Sequence, residues 1–400
     1  MKITKVDVYL LDGGAQRAKR KPIVCRIYTD EGIYGDGEAG IALGVGATGA
    51  FGMTKDLAAM VIGKDPMNVE VIWSDHYKKT FWGLGGGPIF FAGMSALNIA
   101  LMDIKGKALN VPCYQLLGGK YRSSMRSYAS QLQFGWNDRI GPWGKVGEYV
   151  SIVQYARSLG YDAVKIDFTQ YDRDGKRVPK ELCEGIIPND FMAMVEERMA
   201  AIREHCGYDF DIIVENHART NYPGALQIGE LCDKYRIFAL EEPVGALNPQ
   251  MHAEIQKKLK TPIASGERIY TRWGYQSFFA HNAIQLIQPD LCNCGGITEA
   301  KKICDMAEVF EATVQAHVAG APISTAAALH LEAAIPNFCI HEHHFRSTQP
   351  AMTKLCKYDY QPVNGKFTVP ELPGIGQEIS DWAIENAVMH VTVDYTEVGV

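Results

Sequence analysis

Glu215, Glu241 and Glu267 each close a short apolar run: Ile212-Ile213-Val214-Glu215, Phe238-Ala239-Leu240-Glu241 and Pro262-Ile263-Ala264-Ser265-Gly266-Glu267. Their even spacing is about one strand-plus-helix unit. Carboxylates gathered in a partly dry site repel one another strongly unless a cation sits among them. All-oxygen ligation suits a hard ion, and Mg²⁺ takes a few carboxylates while keeping positions open for water and substrate. The alternative is three unrelated surface acids at helix starts, where carboxylates are common. Three on consecutive strands favour the metal.

The series continues with Gln288-Pro289-Asp290, Gln315-Ala316-His317 and Ile340-His341-Glu342-His343-His344. An Asp and a His on adjacent strand ends can form a dyad in which the carboxylate orients the imidazole and raises its basicity. His317 alone reads as a core histidine bonded to backbone; paired with Asp290 it is a candidate general base. Residues i and i+2 of a strand face the same way, which sets His217 beside Glu215 and brings Lys165 and Asp167 to one side. Asn216 then faces away, and Glu242 faces away from Glu241. Lys165 has three open roles: contact to a substrate carboxylate, second base, or partner of Asp167.

These residues need elements to hold them. Strand-like runs at 2–10, 23–29 and 33–38 predict a meander, followed by a helix over 92–109 that stops at Leu116-Leu117-Gly118-Gly119. Beyond about residue 126, eight β-rich runs (127–134, 163–168, 211–217, 238–243, 262–267, 286–290, 313–318, 338–343) alternate with helical stretches such as 191–205, 224–234 and 299–310. That pattern predicts a parallel barrel, whose strand ends gather on one rim. A last strand-like run at 388–393 could return to the first unit.

Composition bounds the function. Net charge is -6, from Lys+Arg 40 against Asp+Glu 46, so the basic excess of a nucleic-acid binder is missing. No uninterrupted apolar run reaches the roughly 20 residues of a bilayer span; the most apolar candidate, 319–336, contains His330 and Glu332. The N-terminus reads as a strand without a signal-peptide core. A soluble, cytoplasmic chain with neither nucleic-acid nor membrane partner is expected. The ten cysteines form no CxxC pair and read as buried thiols. Gly83-Leu84-Gly85-Gly86-Gly87-Pro88 lacks the third glycine of a dinucleotide loop and reads as a loop of the first unit, with Trp82 near the pocket. Alternation places His341 and His343 opposite Glu342, against the outer helices.

Taken together, these residues resemble the enolase superfamily, in its mandelate racemase-like branch, over nearly the whole length. Gly266-Glu267-Arg268 and the run from Gln288-Pro289-Asp290-Leu291 through Gly295-Gly296-Ile297-Thr298-Glu299 look most like galactonate-type sugar-acid dehydratases. The resemblance implies an α/β fold: a modified (β/α)8 barrel of (β/α)7β type over 125–371, with an N-terminal α+β capping domain over 1–124 completed by 372–400. It implies Mg²⁺ held by Glu215, Glu241 and Glu267, an Asp290–His317 dyad, and Glu342 as the last-strand acid hydrogen-bonded to an enediolate, the chemistry known for that superfamily. The implied reaction is dehydration of an aldonate or aldarate. His317 removes the α-proton, Glu342 donates a hydrogen bond if protonated, and His217 as imidazolium protonates the departing 3-hydroxyl, giving a 2-keto-3-deoxy acid.

Two departures stand out. Glu215 occupies a position that is more often Asp, and Lys165-Ile166-Asp167 replaces the Lys-x-Lys of racemases, which weakens two-base racemisation. Candidate substrate contacts are Asp167, Arg268 and Trp82, with Tyr270 and Arg272 also plausible. The basic run Arg17-Ala18-Lys19-Arg20-Lys21 either meets an anionic substrate, since capping loops in this family help close the site, or is a solvated hairpin tip. Association into a homo-oligomer through the capping domain is a further expectation. An epimerase, racemase or cycloisomerase of a related acid, and a non-catalytic regulatory protein on the same scaffold, are the alternatives.

Overall fold

The computed structural model describes residues 1–14 and 20–398. Strands β1 (Ile3–Leu10), β2 (Ile23–Thr29) and β3 (Tyr34–Ala39) form the antiparallel meander, and the C-terminal strand Met389–Asp394 pairs with the free edge of β1. Helices α1 (Ala47–Ala58), α2 (Val69–Lys79) and α3 (Pro88–Leu109) cover the sheet. Pro88 opens α3, where a missing N–H costs nothing, and Asn110 closes it in the left-handed region at φ 54°. The helix lies directly on β3. A Cβ at Gly37 would stand 1.9 Å from the Ala96 carbonyl oxygen, so only glycine permits that approach.

By length and composition α3 is apolar enough to cross a membrane, and 89% of its most apolar stretch is buried inside the fold. It, and not 319–336, is the most apolar helix. The sequence places a helix over 92–109 but not as the most apolar stretch, because Asn98, Asp103 and Lys105 interrupt the apolar run.

The second unit is a closed parallel barrel. Its strands are β4 (Ser124–Ser130), β5 (Ala163–Ile166), β6 (Asp211–Glu215), β7 (Ala239–Glu241), β8 (Ile263–Ser265), β9 (Leu286–Ile287), β10 (Thr313–Val314) and β11 (His341–His344). They pair in chain order, β11 returns to β4, and a parallel bridge from Val314 to Phe338 closes the ring. Helices α4 (Val146–Ser158), α5 (Asn189–Cys206), α6 (Tyr222–Lys234), α7 (Pro249–Gln256), α8 (Thr271–Ala280), α9 (Ile297–Val309) and α10 (Pro322–Ala333) follow the first seven strands. The eighth runs into a short 3-10 turn, Phe345–Thr348. The architecture is the (β/α)7β barrel. The strands expected at 286–290 and 313–318 are shorter, because Pro289 and the rim residues after Val314 leave the ladder early.

The barrel interior is filled by an apolar layer of Tyr128, Ala163, Ile213, Ala239, Ala264, Leu286 and Ile340. The two units are clasped beside it. Glu38 on β3 accepts from the backbone N–H of Ala321 (2.6 Å) and Ser324 (3.0 Å), satisfying the start of α10, and Trp73 on α2 donates to the Gly295 carbonyl (2.8 Å).

Candidate active site

The pleat positions the polar layer. Moving two residues beyond each apolar position reaches Ser130, Lys165, Glu215, Glu241, Gly266, Gln288 and Glu342, all on the carboxyl side of the barrel. Glu215 and Glu241 are register partners on adjacent strands. All the non-glycine members are buried.

Lys165 sits at the centre of this layer. Its ammonium lies 3.1 Å from Glu215 Oε1, 3.0 and 3.1 Å from the two Glu241 oxygens, and 2.9 Å from Glu342 Oε1. Burial lowers its pKa, but the three carboxylates outweigh it and hold the pKa well above the ordinary value. Lys165 does not pair with Asp167, which removes one of its three expected roles.

Glu342 is the next acid of this layer. Ser130 Oγ donates to its Oε1 (2.6 Å), the Val318 N–H to its Oε2 (2.9 Å), and Lys165 adds its charge. Burial pushes the acid up, but Lys165, then His317 and these hydrogen bonds, take it down to about 2. Both of its oxygens accept hydrogen bonds in this arrangement.

Glu267 breaks the pattern of the other two glutamates. Gly266 occupies the inward slot, where a Cβ would stand 2.4–2.5 Å from the Gln288 backbone. Glu267 therefore falls past the end of β8 and turns sideways, 3.1 Å from His317 Nε2 and 2.9 Å from Arg268. Among the described residues no group of three or more His, Cys, Asp or Glu side chains is gathered as a ready metal cage. The strand ends are adjacent as expected, but Lys165, His317 and Arg268 hold the three carboxylates. The donor set still fits a hard cation, because all three ligands offer oxygen and Glu215 Oε2 is buried without a hydrogen-bond partner.

His317 lies between two acids. Its Nδ1 is 2.8 Å from Asp290 Oδ2, and Asp290 Oδ1 is itself fixed by the Cys292 N–H at 2.8 Å. Burial pulls the imidazole pKa down, but Glu267 and the Asp290 bond raise it to about 10. In this arrangement the ring holds its proton, with Nε2 occupied by Glu267.

His217 reaches the mouth by a different route from the one expected. β6 ends at Glu215, and His217 stands in a left-handed turn at φ 50°. The turn still brings Nε2 to 3.3 Å from Glu215 Oε1 and Nδ1 to 3.6 Å from Asp167 Oδ2. Burial lowers its pKa, and Glu215 and Asp167 more than compensate, raising it to about 10. Asp167 Oδ1 accepts from both the N–H (2.8 Å) and Oγ1 (2.7 Å) of Thr169. That locks the carboxylate toward His217 and makes Asp167 a neighbour of the histidine instead of a free substrate contact.

Arg268 bridges Glu267 and the buried Glu242, so it too is committed. Trp82 is exposed, with its ring edge-on to Phe81. His341 bonds Glu332 (2.6 Å) and His343 bonds Tyr161 (2.5 Å), away from the mouth. Asn216 donates to Thr220 and to the Glu242 and Pro243 carbonyls. In the basic run, Arg17 to Lys19 lie outside the described residues; Arg20 is buried.

Two amides escaped the sequence reading. Gln288 Nε2 donates to Glu241 Oε2 (2.5 Å), and Gln131 Nε2 donates to Glu215 Oε1 (3.3 Å) while its Oε1 faces His344 Nε2 (3.1 Å). Gln288 stands two residues past inward-facing Leu286, so alternation alone locates it.

Residues 148–383 match the family described as "Enolase C-terminal domain-like", and residues 14–118 match the "Mandelate racemase / muconate lactonizing enzyme, N-terminal domain". The chain belongs to the enolase superfamily, in its mandelate racemase-like branch. It is similar to the D-galactonate dehydratase of Pectobacterium atrosepticum, 31% identical over 392 residues that cover 95% of this chain and 93% of that protein. It is 30% identical to the D-galactonate dehydratase of Xanthomonas campestris pv. campestris over 395 residues, 97% and 94% of the two chains. A crystal structure of a member of the enolase superfamily from Salmonella Typhimurium is 50% identical, covers 98% of this chain and 99% of its own, and superposes with a TM-score of 0.94.

Proposed function

We propose that this enolase-superfamily chain is a hydro-lyase that dehydrates a sugar acid to a 2-keto-3-deoxy acid. The observation that carries the reading is a pair of histidines, each facing its own carboxylate, that enter the mouth from opposite walls. His217 follows the third strand and His317 the seventh of an eight-membered ring. One ring can then take the α-proton while the other delivers a proton to the leaving hydroxyl. The named relatives, two D-galactonate dehydratases, support the same class.

Glu215, Glu241 and Glu267 would hold Mg²⁺, which when bound supplies Lewis-acid charge to the substrate carboxylate. The chain's own residues do the rest. Asp290 fixes the His317 tautomer through Nδ1, leaving Nε2 as the nitrogen that accepts the α-proton once Glu267 no longer occupies it. Lys165, buried and cationic, faces the charge that develops on the acid end. Glu342, kept ionised, anchors Lys165 instead of donating a proton. Asp167 orients His217 so that its Nε2–H points into the mouth as the acid.

The capping unit, 1–124 with 372–400, closes over the barrel unit, 125–371, and excludes water from the reacting atoms. Epimerisation is the weaker reading, because Lys165 is held by three carboxylates and Lys-x-Asp offers no second lysine. The test is a screen of aldonic and aldaric acids with Mg²⁺ for 2-keto acid formation. Product from one stereochemical subset supports the reading, and none from any acid removes it.

A further inference from the structure

His317 opens a short strap, 317–321, that runs from the barrel rim into α10 and is held from both units. The barrel holds its first half: the His317 N–H donates to the Pro289 carbonyl (3.2 Å) and the Val318 N–H to Glu342 Oε2 (2.9 Å). The capping unit holds the second half. Arg20 Nη1 donates to the Ala319 carbonyl (2.5 Å), and Glu38 Oε1 accepts from the Ala321 N–H (2.6 Å). The other Glu38 oxygen accepts from the Ser324 N–H (3.0 Å), in the first turn of α10.

The sequence supplies α10 with no cap of its own. Its cap position is Ala321, which makes no side-chain hydrogen bond, and Pro322 follows without an N–H. Two N–H groups of this helix start are satisfied instead from the other unit, by one buried carboxyl group that uses both oxygens. Glu38 stands on a stiff mount: it pairs with Val24 in the capping sheet, and the neighbouring Gly37 lies directly against α3. The strap is shaped to receive it. A Cβ at Gly320 would stand 2.5 Å from Glu38 Oε1 and 2.7 Å from Ser324 Cβ, so no side chain fits there.

A base works only while its accepting nitrogen stays in reach of the proton, and a misplacement of about 1 Å costs on the order of 100-fold in rate. Asp290 sets the His317 ring, whereas the strap sets the backbone that carries it. We propose that Glu38 is a positioning residue for the reaction: by capping α10 from the other unit it holds the strap, and with it His317, at the depth the α-proton requires. This rests on the reading of His317 as the base and extends it to a residue of the capping sheet.

The test compares wild type, Glu38→Gln, Glu38→Ala, Gly320→Ala and Glu38→Ala/Gly320→Ala as Mg²⁺-loaded proteins, with α-proton exchange of the sugar acid in D₂O as the activity. Glu38→Ala should lower kcat for exchange about 100-fold and leave KM and the calorimetric Mg²⁺ affinity within about threefold, because the metal ligands lie on other strands. Glu38→Gln, which keeps the shape and one acceptor oxygen, should fall between and guards against misfolding of the Ala variant. Gly320→Ala pushes Glu38 aside, so the double variant should lose no more than the worse single one. A crystal structure of Glu38→Ala reads the placement without turnover, and in it His317 Nδ1 should leave hydrogen-bond reach of Asp290. Unchanged kcat, a loss shared equally by KM and Mg²⁺ affinity, losses that multiply in the double variant, or an unmoved His317 overturns the assignment even if water is eliminated. If wild type exchanges no acid but the ring moves in the variant structure, the dehydratase reading fails and the placement of His317 by Glu38 stands.

Discussion

His317 Nδ1 lies 2.8 Å from Asp290 Oδ2, and the other Asp290 oxygen accepts from the Cys292 backbone N–H. Such a bond fixes which ring nitrogen carries the proton. Asp290→Asn keeps the shape but can present the wrong tautomer to the substrate. We expect a loss of about 10³-fold in α-proton exchange with little change in melting temperature, on the scale of removing a positioned acid–base group. Deuterium uptake at the α-carbon, followed by NMR, checks it; exchange within about threefold of wild type would mean that Asp290 does not set the ring.

Lys165 is both chemical and structural. Removing it leaves Glu215, Glu241 and Glu342 buried without their shared cation. Lys165→Met should destabilise the protein by about 3–5 kcal/mol, the scale for breaking a buried charge pair. Because the freed glutamates are oxygen donors for a hard ion, Mg²⁺ should restore more stability to this variant than to wild type. Thermal unfolding with and without Mg²⁺ decides it, and equal shifts in the two proteins argue against the shared role.

Much of this site follows from alternation and strand ends. Glu215, Glu241, Lys165 and Glu342 each stand two residues past a small or apolar inward residue, so pleat and barrel topology carry them to one layer. Glu267 is different, because Gly266 takes the inward slot and pushes the carboxylate off the pleat. His217 faces the expected side although a left-handed turn, not a strand, puts it there. The ionised state of Glu342 depends on Ser130, Val318 and Lys165, which lie far apart in the chain, and no local pattern reveals it. The uncharged amides Gln131 and Gln288 leave no mark in a search for acids and bases.

His217 separates elimination from exchange. His217→Asn should lower product formation more than 100-fold while α-proton exchange persists, since His317 is untouched. Parallel NMR measurements of exchange and 2-keto acid give both rates from one sample. Loss of both in proportion would place His217 in the first step instead.

The buried histidines make a prediction about pH. Burial lowers the pKa of His76 and of His330 to about 4, and the unfolded chain titrates near the ordinary value of about 6.5. The unfolded state therefore binds more protons between these values. The stability from the neutral rings is complete above pH 6.5 and is lost as pH falls toward 4. Each ring contributes a slope of up to about 1.4 kcal/mol per pH unit in that window. His330→Asn should flatten the stability–pH curve there by about one such contribution, measured by urea unfolding across pH. An unaltered slope would show that His330 does not titrate as placed.

The most direct measurement is the fate of a sugar acid incubated with the Mg²⁺-loaded protein in D₂O and followed by mass spectrometry and NMR. Loss of one water and a 2-keto-3-deoxy acid carrying solvent deuterium at C3, abolished by His317→Asn, is the predicted result. Recovery of the acid with its formula intact and only its α-configuration changed would contradict the account.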